Sequence, residues 1–145
     1  MLIRRAASQD DEQWLRLRML LWPGDSPEAH LAEMEEFAAD PLCAVFLAEA
    51  PDGRLVGFLE AAQRKYADGC DTSPVGYIEG WYVEPDLRWA GVGKLLVQAA
   101  EDWTRQLGLR EIASDCLIDN QISYNAHHSL GYEEVERLVH FRKKL

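Results

Sequence analysis

Cysteine is scarce in this chain, with three in 145 residues. Cys43, Cys70 and Cys116 are odd in number, widely spaced and without a Cys-x-x-Cys pair, so a disulfide framework does not fit and reduced thiols in a cytoplasm do. Long apolar runs are missing as well. Nothing approaches the ~20 residues that cross a bilayer, and the opening MLIRRAASQDD lacks the apolar stretch of a secretory signal. Basic charge is in short supply: 15 Lys and Arg against 25 Asp and Glu leave a formal net charge of −10. That balance argues against nucleic acid or an anionic membrane surface as partner and permits a cationic substrate. Metal-ligand spacing is absent, since His127 and His128 are adjacent on an expected helix and His30 and His140 stand alone, so no metal is expected. Repeats, linkers and low-complexity segments are also lacking. The length and the 48% apolar content suit one domain spanning 1–145 with one core.

What is present is organised around residues 76–96, GYIEGWYVEPDLRWAGVGKLL. Val75–Val83 is rich in aromatic and β-branched residues and ends before Pro85, which reads as a strand. Arg88, Trp89, Ala90, Gly91, Val92 and Gly93 form a glycine-bearing turn. A helix follows it with an apolar stripe at Val92, Leu95, Leu96, Ala99, Trp103 and Leu107. Such a turn presents backbone N–H groups at the positive end of a helix, a site for phosphate. A dinucleotide fingerprint would need a third glycine where Leu96 stands, and a P-loop would need Ser or Thr where Leu95 follows Gly93-Lys94.

The rest of the chain reads in order as follows. Leu2–Arg5 is a short strand. Ser8 with Asp11 forms a loose capping box for a helix running to about Trp22, with Trp14, Leu17 and Leu21 on one face. Ser26 caps and Pro27 starts a second helix to about Ala39, with Leu31, Met34 and Phe37 inward. Residues 44–49 and 55–60 are strands of a hairpin around Pro51-Asp52-Gly53-Arg54. Residues 64–74 form a polar loop. After the central strand, turn and helix, Gly108 is a C-cap, 110–116 a fifth strand, and Asp119 or Asn120 opens a helix stopping at Leu130-Gly131. Residues 132–142 are expected as a final strand. The order β-α-α-β-β-β-α-β-α-β in one small domain gives a mixed α/β sheet.

Arg-x-x-Gly-x-Gly directly after a strand resembles the pyrophosphate-binding motif of the GNAT superfamily of acyl-CoA N-acyltransferases, and the element order resembles that fold along the whole chain. The resemblance implies an α/β (α+β) fold with a mixed, mostly antiparallel sheet whose central strands splay. It also implies that the turn amides through Lys94 hold the coenzyme A pyrophosphate and that Trp81, Tyr82 and Val83 pair with the pantetheine arm. The family often shows Asn, seven residues, Tyr, then Leu-Gly-Phe. Here Asn120 is followed by His127 and then Leu130-Gly131-Tyr132, so Asn120 would face the pantetheine. His127 stands where the family tyrosine protonates the departing thiolate, a role a histidine can fill near neutral pH.

Several separate segments resemble, more narrowly, the aminoglycoside 6′-N-acetyltransferases. These are Trp22-Pro-Gly, the loop 66–74 with Gly-Cys-Asp-Thr-Ser-Pro, Glu79-Gly80, Ala113-Ser114-Asp115, Glu133-Glu-Val-Glu-Arg137 and Phe141-Arg-Lys. Acetyl transfer to an amine needs a base for the amine proton and donors for the thioester oxygen. Asp115 and Glu79, carboxylates on neighbouring strands, are the candidates for base or amine anchor, with Asp115 first. Glu136, Asp25, and Asp68 or Asp71 could line a cleft for a polycationic sugar, with Trp22 and Tyr66 as its aromatic wall. Glu133, Glu134 and Glu136 also suit an ordinary solvated strand face.

Three functions compete. One is acetyl-CoA-dependent acetylation of an aminoglycoside 6′-amine, and the second is acetylation of a polyamine or protein amine on the same fold. The third is a non-catalytic acyl-CoA sensor, which would keep Arg88, Gly91 and Gly93 but need neither Glu79 nor Asp115. The family resemblance also implies a homodimer.

Overall fold

In the computed structural model, which describes all 145 residues, β1 (Leu2–Arg5) leads through a short 3₁₀ turn into α1 (Asp11–Leu21) and α2 (Pro27–Ala39). Then come β2 (Cys43–Glu49), β3 (Leu55–Arg64), β4 (Val75–Val83), α3 (Val92–Gln106), β5 (Ile112–Ser114) and α4 (Gln121–Ser129). The strands form one sheet in chain order. β1 to β4 pair antiparallel and β5 lies parallel to β4, reached by the crossover that α3 provides.

Each element has a local cause. Ser26 accepts from the Ala29 N–H at 3.1 Å and Pro27 occupies the first helical position, so α2 starts where the sequence predicts. The expected Ser8–Asp11 box does not cap α1, and the box forms instead on the 3₁₀ turn before it. Asp10 rather than Ser8 accepts from the Ala7 N–H at 2.8 Å, while Arg4 donates to both Asp10 oxygens at 2.7 and 2.8 Å. The Arg4 guanidinium holds the Asp10 carboxyl below the usual carboxylate range. β3 runs on to Arg64, four residues past its expected end at 60, because its last residues pair with the start of β4.

Helices cover both sheet faces. α3 lays Val92, Leu96, Val97, Ala100 and Trp103 on one face against Leu59, Ala61, Ile78 and Val83. α1 and α2 close the other, with Trp14, Leu17 and Met34 against Val45, Leu47, Leu55 and Phe58. Three inward assignments fail. Leu31, Leu95 and Leu107 are exposed, and the buried positions beside them are His30, Leu96 and Thr104. The buried His30 and Thr104 bond within the structure, to Arg18 and to the Ala100 carbonyl, so a polar residue takes a position that an apolar-only stripe misassigns.

The expected final strand does not form. Residues 132–145 have no regular secondary structure and 133–145 are exposed, Val139 and Phe141 among them. β5 is likewise limited to three residues, so the sheet offers that segment little edge to pair with.

Two irregularities of β4 position the site. Across from β3 the register steps from Glu60↔Gly80 to Ala61↔Ile78, so Glu79 is an extra residue in a β-bulge. On the other side, pairing with β5 ends at Ile78↔Ser114 while β4 continues to Val83. The two strands therefore part at the bulge, as the resemblance implies.

Candidate active site

The bulge sorts the side chains of β4. Ile78, Trp81 and Val83 pack on the α3 side. Tyr77 and Glu79 meet Arg64 on the opposite side, Gly80 lies under Trp22, and Tyr82 packs with Phe58. Glu79 and Gly80 thus share a face although adjacent, which regular alternation forbids.

On the α3 side, the turn carries Gly91 at φ 79°, the left-handed region where a side chain is strained, and it is the N-cap of α3. The first helical hydrogen bond runs from Leu95 N–H to the Gly91 carbonyl at 3.1 Å, leaving the amides of Val92, Gly93 and Lys94 free for a ligand. Arg88 donates Nε–H to the Val83 carbonyl at 3.1 Å, tying the turn to the end of β4, and Trp89 is 96% exposed. The Trp81 indole reaches the start of α3, where a Cβ on Gly93 would lie 2.9 Å from its ring, and its buried Nε1–H has no acceptor. A free donor beside free amides suits a ligand rich in acceptors, such as the phosphates and amides of coenzyme A. A cavity of about 230 Å³ continues from Lys94 between α3 and the end of α4, lined also by Val97, Gln98, Glu101, Ser129 and Leu130. A larger groove of about 460 Å³ lies along one face of α1, over Glu12, Leu15, Arg16, Met19 and Leu20, and contains none of the candidate site residues.

His127 sits edge-on to Trp81 with ring centroids 5.3 Å apart. Its Nδ1 lies 2.7 Å from the Ser123 carbonyl, which can only accept, so Nδ1 carries the proton of the neutral ring. Nε2 faces Ser114 Oγ at 2.8 Å. Asn120 caps α4, its Oδ1 accepting from the Ser123 N–H at 3.1 Å.

On the other side, Arg64 grips Glu79 with Nε–H and Nη2–H at 2.7 and 2.6 Å, and its guanidinium lies 3.5 Å over the Tyr77 ring. The Tyr77 hydroxyl donates to Asp115, which follows β5 directly. Burial and the neighbouring Asp115 push the Tyr77 phenol well above its ordinary range, so it stays a donor. Trp22, at the end of α1, lays its ring on Gly80, where a Cβ would come within 2.4 Å of the ring edge. Tyr66 is 67% exposed and donates to Asp68 at 2.9 Å.

Glu79, Asp115 and Trp22 therefore meet on one face of β4, and the turn, Trp81 and His127 on the other. Asp25 and Glu136 are exposed and make no side-chain hydrogen bond with this cluster. Sequence reading misses three partners: Arg64, which neutralises Glu79; Tyr77, which holds Asp115; and Ser114, which meets His127. None of the three carried a local signal, since Glu79 sits in a bulge and Tyr77 meets Asp115 across 38 positions of chain.

Residues 12–132 match the model of the acetyltransferase (GNAT) family. The chain is 46% identical to the aminoglycoside N(6′)-acetyltransferase type 1 of Stenotrophomonas maltophilia, over 99% of this chain and 93% of that one. With the enzyme of the same name from Klebsiella aerogenes the identity is 42%, over 99% and 97%. The crystal structure of the aminoglycoside 6′-N-acetyltransferase of Acinetobacter haemolyticus without ligand superposes with a TM-score of 0.94 at 42% identity, over 100% of this chain and 99% of that one. AAC(6′)-Iy in complex with the bisubstrate analogue CoA-S-monomethyl-acetylneamine gives 0.94 at 43%, over 99% and 98%. The phosphate-ready turn, the parted strands and these matches together place the chain in the GNAT acetyltransferase family.

Proposed function

We propose that this protein transfers the acetyl group of acetyl-CoA to the 6′-amine of aminoglycoside antibiotics, and so confers resistance. The observation that carries the reading is the bulge of β4. It turns Glu79 to the face where Arg64 and Tyr77 link it to Asp115 and where Trp22 covers Gly80, at the point where β4 and β5 part. Four relatives support it: two enzymes and two structures of aminoglycoside 6′-N-acetyltransferases, one bound to a CoA–aminoglycoside analogue.

Acetyl-CoA, when bound, supplies the acetyl group as a thioester. Arg88, Trp89, Ala90, Gly91 and the amides of Val92, Gly93 and Lys94 hold its pyrophosphate, with Asn120 toward the pantetheine. The unpaired edge of β4 offers the amides of Trp81 and Val83 as donors for the oxygen on which charge grows, while the Tyr82 amide between them faces β3, in step with the Glu84 N–H that donates to the Val56 carbonyl. Asp115 takes the proton of the incoming ammonium, directly or through water. Its bond from Tyr77 fixes the carboxylate and leaves its other oxygen for the amine. Glu79 anchors the amine and shares its charge with Arg64 until the substrate arrives. His127, when protonated, donates from Nε2, the nitrogen facing Ser114, and this is the route by which the departing sulfur receives its proton. Trp22 and Tyr66 flank the sugar, with Asp25 and Glu136 as outer carboxylates.

The whole chain acts as one such domain, in the cytoplasm, with no nucleic acid or membrane partner and as a homodimer. Support for the dimer is the exposed apolar residues Leu138, Val139 and Phe141 in a segment that joins no strand of its own chain. Light scattering should give twice the chain mass, and a monomer at micromolar concentration would remove the dimer.

The function is tested by thiol release from acetyl-CoA with kanamycin, its 6′-hydroxyl counterpart, spermidine and a lysine peptide. Turnover with kanamycin and none with the 6′-hydroxyl compound is expected. Turnover with spermidine or peptide alone would keep the cofactor and discard the antibiotic, and tight acetyl-CoA binding without turnover would favour a sensor.

A further inference from the structure

Behind the amine face lies a buried polar cluster that none of these steps uses. Arg18 of α1 and Glu60 of β3 are each 1% exposed and form an ion pair. Trp14 Nε1–H donates to the same Glu60 oxygen at 3.0 Å. Arg18 also donates to Glu33 from its other terminal nitrogen and, through Nε–H, to His30 Nδ1 at 3.2 Å. Because the arginine can only donate, His30 Nδ1 is the acceptor and Nε2 carries the proton, which it donates to the Trp22 carbonyl at 3.1 Å.

The same two residues hold the Trp22 ring. The Arg18 guanidinium lies 4.8 Å from its centroid, and the His30 imidazole stacks at 6.4 Å with 24° between planes. Phe58 meets the ring edge-on at 6.1 Å. The opposite contact is Gly80, which pairs with Glu60 across the ladder at the bulge. One cluster therefore grips both the aromatic residue and the strand position it covers. Burying ion pairs gives little stability compared with apolar packing, so a cluster of this kind is better explained by the geometry it fixes. Here that geometry is the Trp22 ring seated on Gly80, next to Glu79.

We propose that Arg18 and His30 are positioning residues for the amine substrate: they lock Trp22 over Gly80 as a rigid wall, and the aminoglycoside affinity depends on that lock. This rests on the aminoglycoside reading above. His30→Leu removes both the Arg18 and the Trp22 bonds, whereas the amide of His30→Gln can accept from one and donate to the other. His30→Leu should raise the kanamycin KM and the calorimetric Kd about tenfold, the scale of a lost cation–aromatic wall. The kcat and the acetyl-CoA KM should stay within about twofold, and His30→Gln should recover most of the loss. In a Trp22→Ala background, His30→Leu should have no further effect, because its action runs through the ring.

Unchanged kanamycin affinity in His30→Leu overturns the proposal. So does an equal loss for both substrates, or an effect that adds to that of Trp22→Ala. If His30→Leu does not fold, Arg18→Lys carries the test, since lysine can pair with Glu60 but cannot span His30 and the ring together. Should Trp22→Ala raise the KM while His30→Leu and Arg18→Lys do not, only the lock fails. Wild-type protein that ignores kanamycin refutes the underlying reading and the lock with it.

Discussion

The two faces of β4 are built from different materials. Toward α3 the recognition elements are mainly backbone: three free amides at a helix start, a glycine in the left-handed region and an unpaired strand edge. Toward α1 and α2 they are side chains tied to one another, with Arg64 on Glu79, Tyr77 on Asp115, and Trp22 on Gly80. A surface of amides tolerates most side-chain changes and fails when the chain path changes. A surface of interlocked side chains fails when one atom changes and the path does not. The split matches the proposed chemistry, since a cofactor common to many reactions can be met by backbone while a particular amine needs particular groups.

Asp115→Asn tests that difference most severely. It keeps the shape and the bond from Tyr77 but removes the proposed base, so kcat with kanamycin should fall roughly 10²–10⁴-fold. Calorimetric acetyl-CoA affinity should not change. Retained turnover would pass the base role to Glu79 or to water and blur the distinction between the faces.

Gly91→Val is the mirror experiment. No atom lies within 4 Å of the added Cβ, so any effect comes from φ 79°, which a β-branched residue resists, and the turn must shift to relieve it. Acetyl-CoA should bind about tenfold more weakly as the α3 amides move, with the kanamycin Kd of the free protein unaltered. An unchanged acetyl-CoA affinity would mean that the turn does not hold the pyrophosphate.

The same division explains what could be read from sequence. The turn was legible because its parts are consecutive residues: strand, Arg88, Gly91, Gly93, helix. Glu79 and Asp115 were legible as carboxylates out of place in strands. Their partners were not, because Arg64 meets Glu79 across a bulge and Tyr77 meets Asp115 across 38 positions of chain. No local period announces a bulge, and a lone buried histidine such as His30 looks like any other until its two bonds are seen. The last strand failed for a different reason: Val135, Leu138, Val139 and Phe141 supply β-branched and aromatic residues that suit a strand, but β5 offers three residues of edge. Patterning specifies a willing strand and says nothing about whether a neighbour exists to receive it.

A smaller effect sharpens the comparison at its margin. The loop from β3 to β4 carries Tyr66 and is pinned by Glu111, whose Oε1 accepts from the amides of Asp71 at 2.9 Å and Thr72 at 2.6 Å and from the Thr72 hydroxyl. These donors, the Thr72 hydroxyl foremost, lower the Glu111 carboxyl below its usual range. A group depressed in the folded state supports the fold fully above its ordinary carboxylate range and loses that support as pH falls through the lowered value. Exchange protection of the Asp71 and Thr72 amides should therefore persist at pH 5 and fade only below the ordinary carboxylate value of about 4.3. Glu111→Gln should lose much of that protection already at pH 7, because a neutral amide oxygen is the weaker acceptor. If Tyr66 flanks the sugar, the same substitution should raise the kanamycin KM about two- to fivefold and leave acetyl-CoA untouched, since a loosened loop costs order at one edge of the wall and no atom of the chemistry. Lost protection with an unchanged kanamycin KM would take Tyr66 out of the amine face and leave Trp22 as its only aromatic wall.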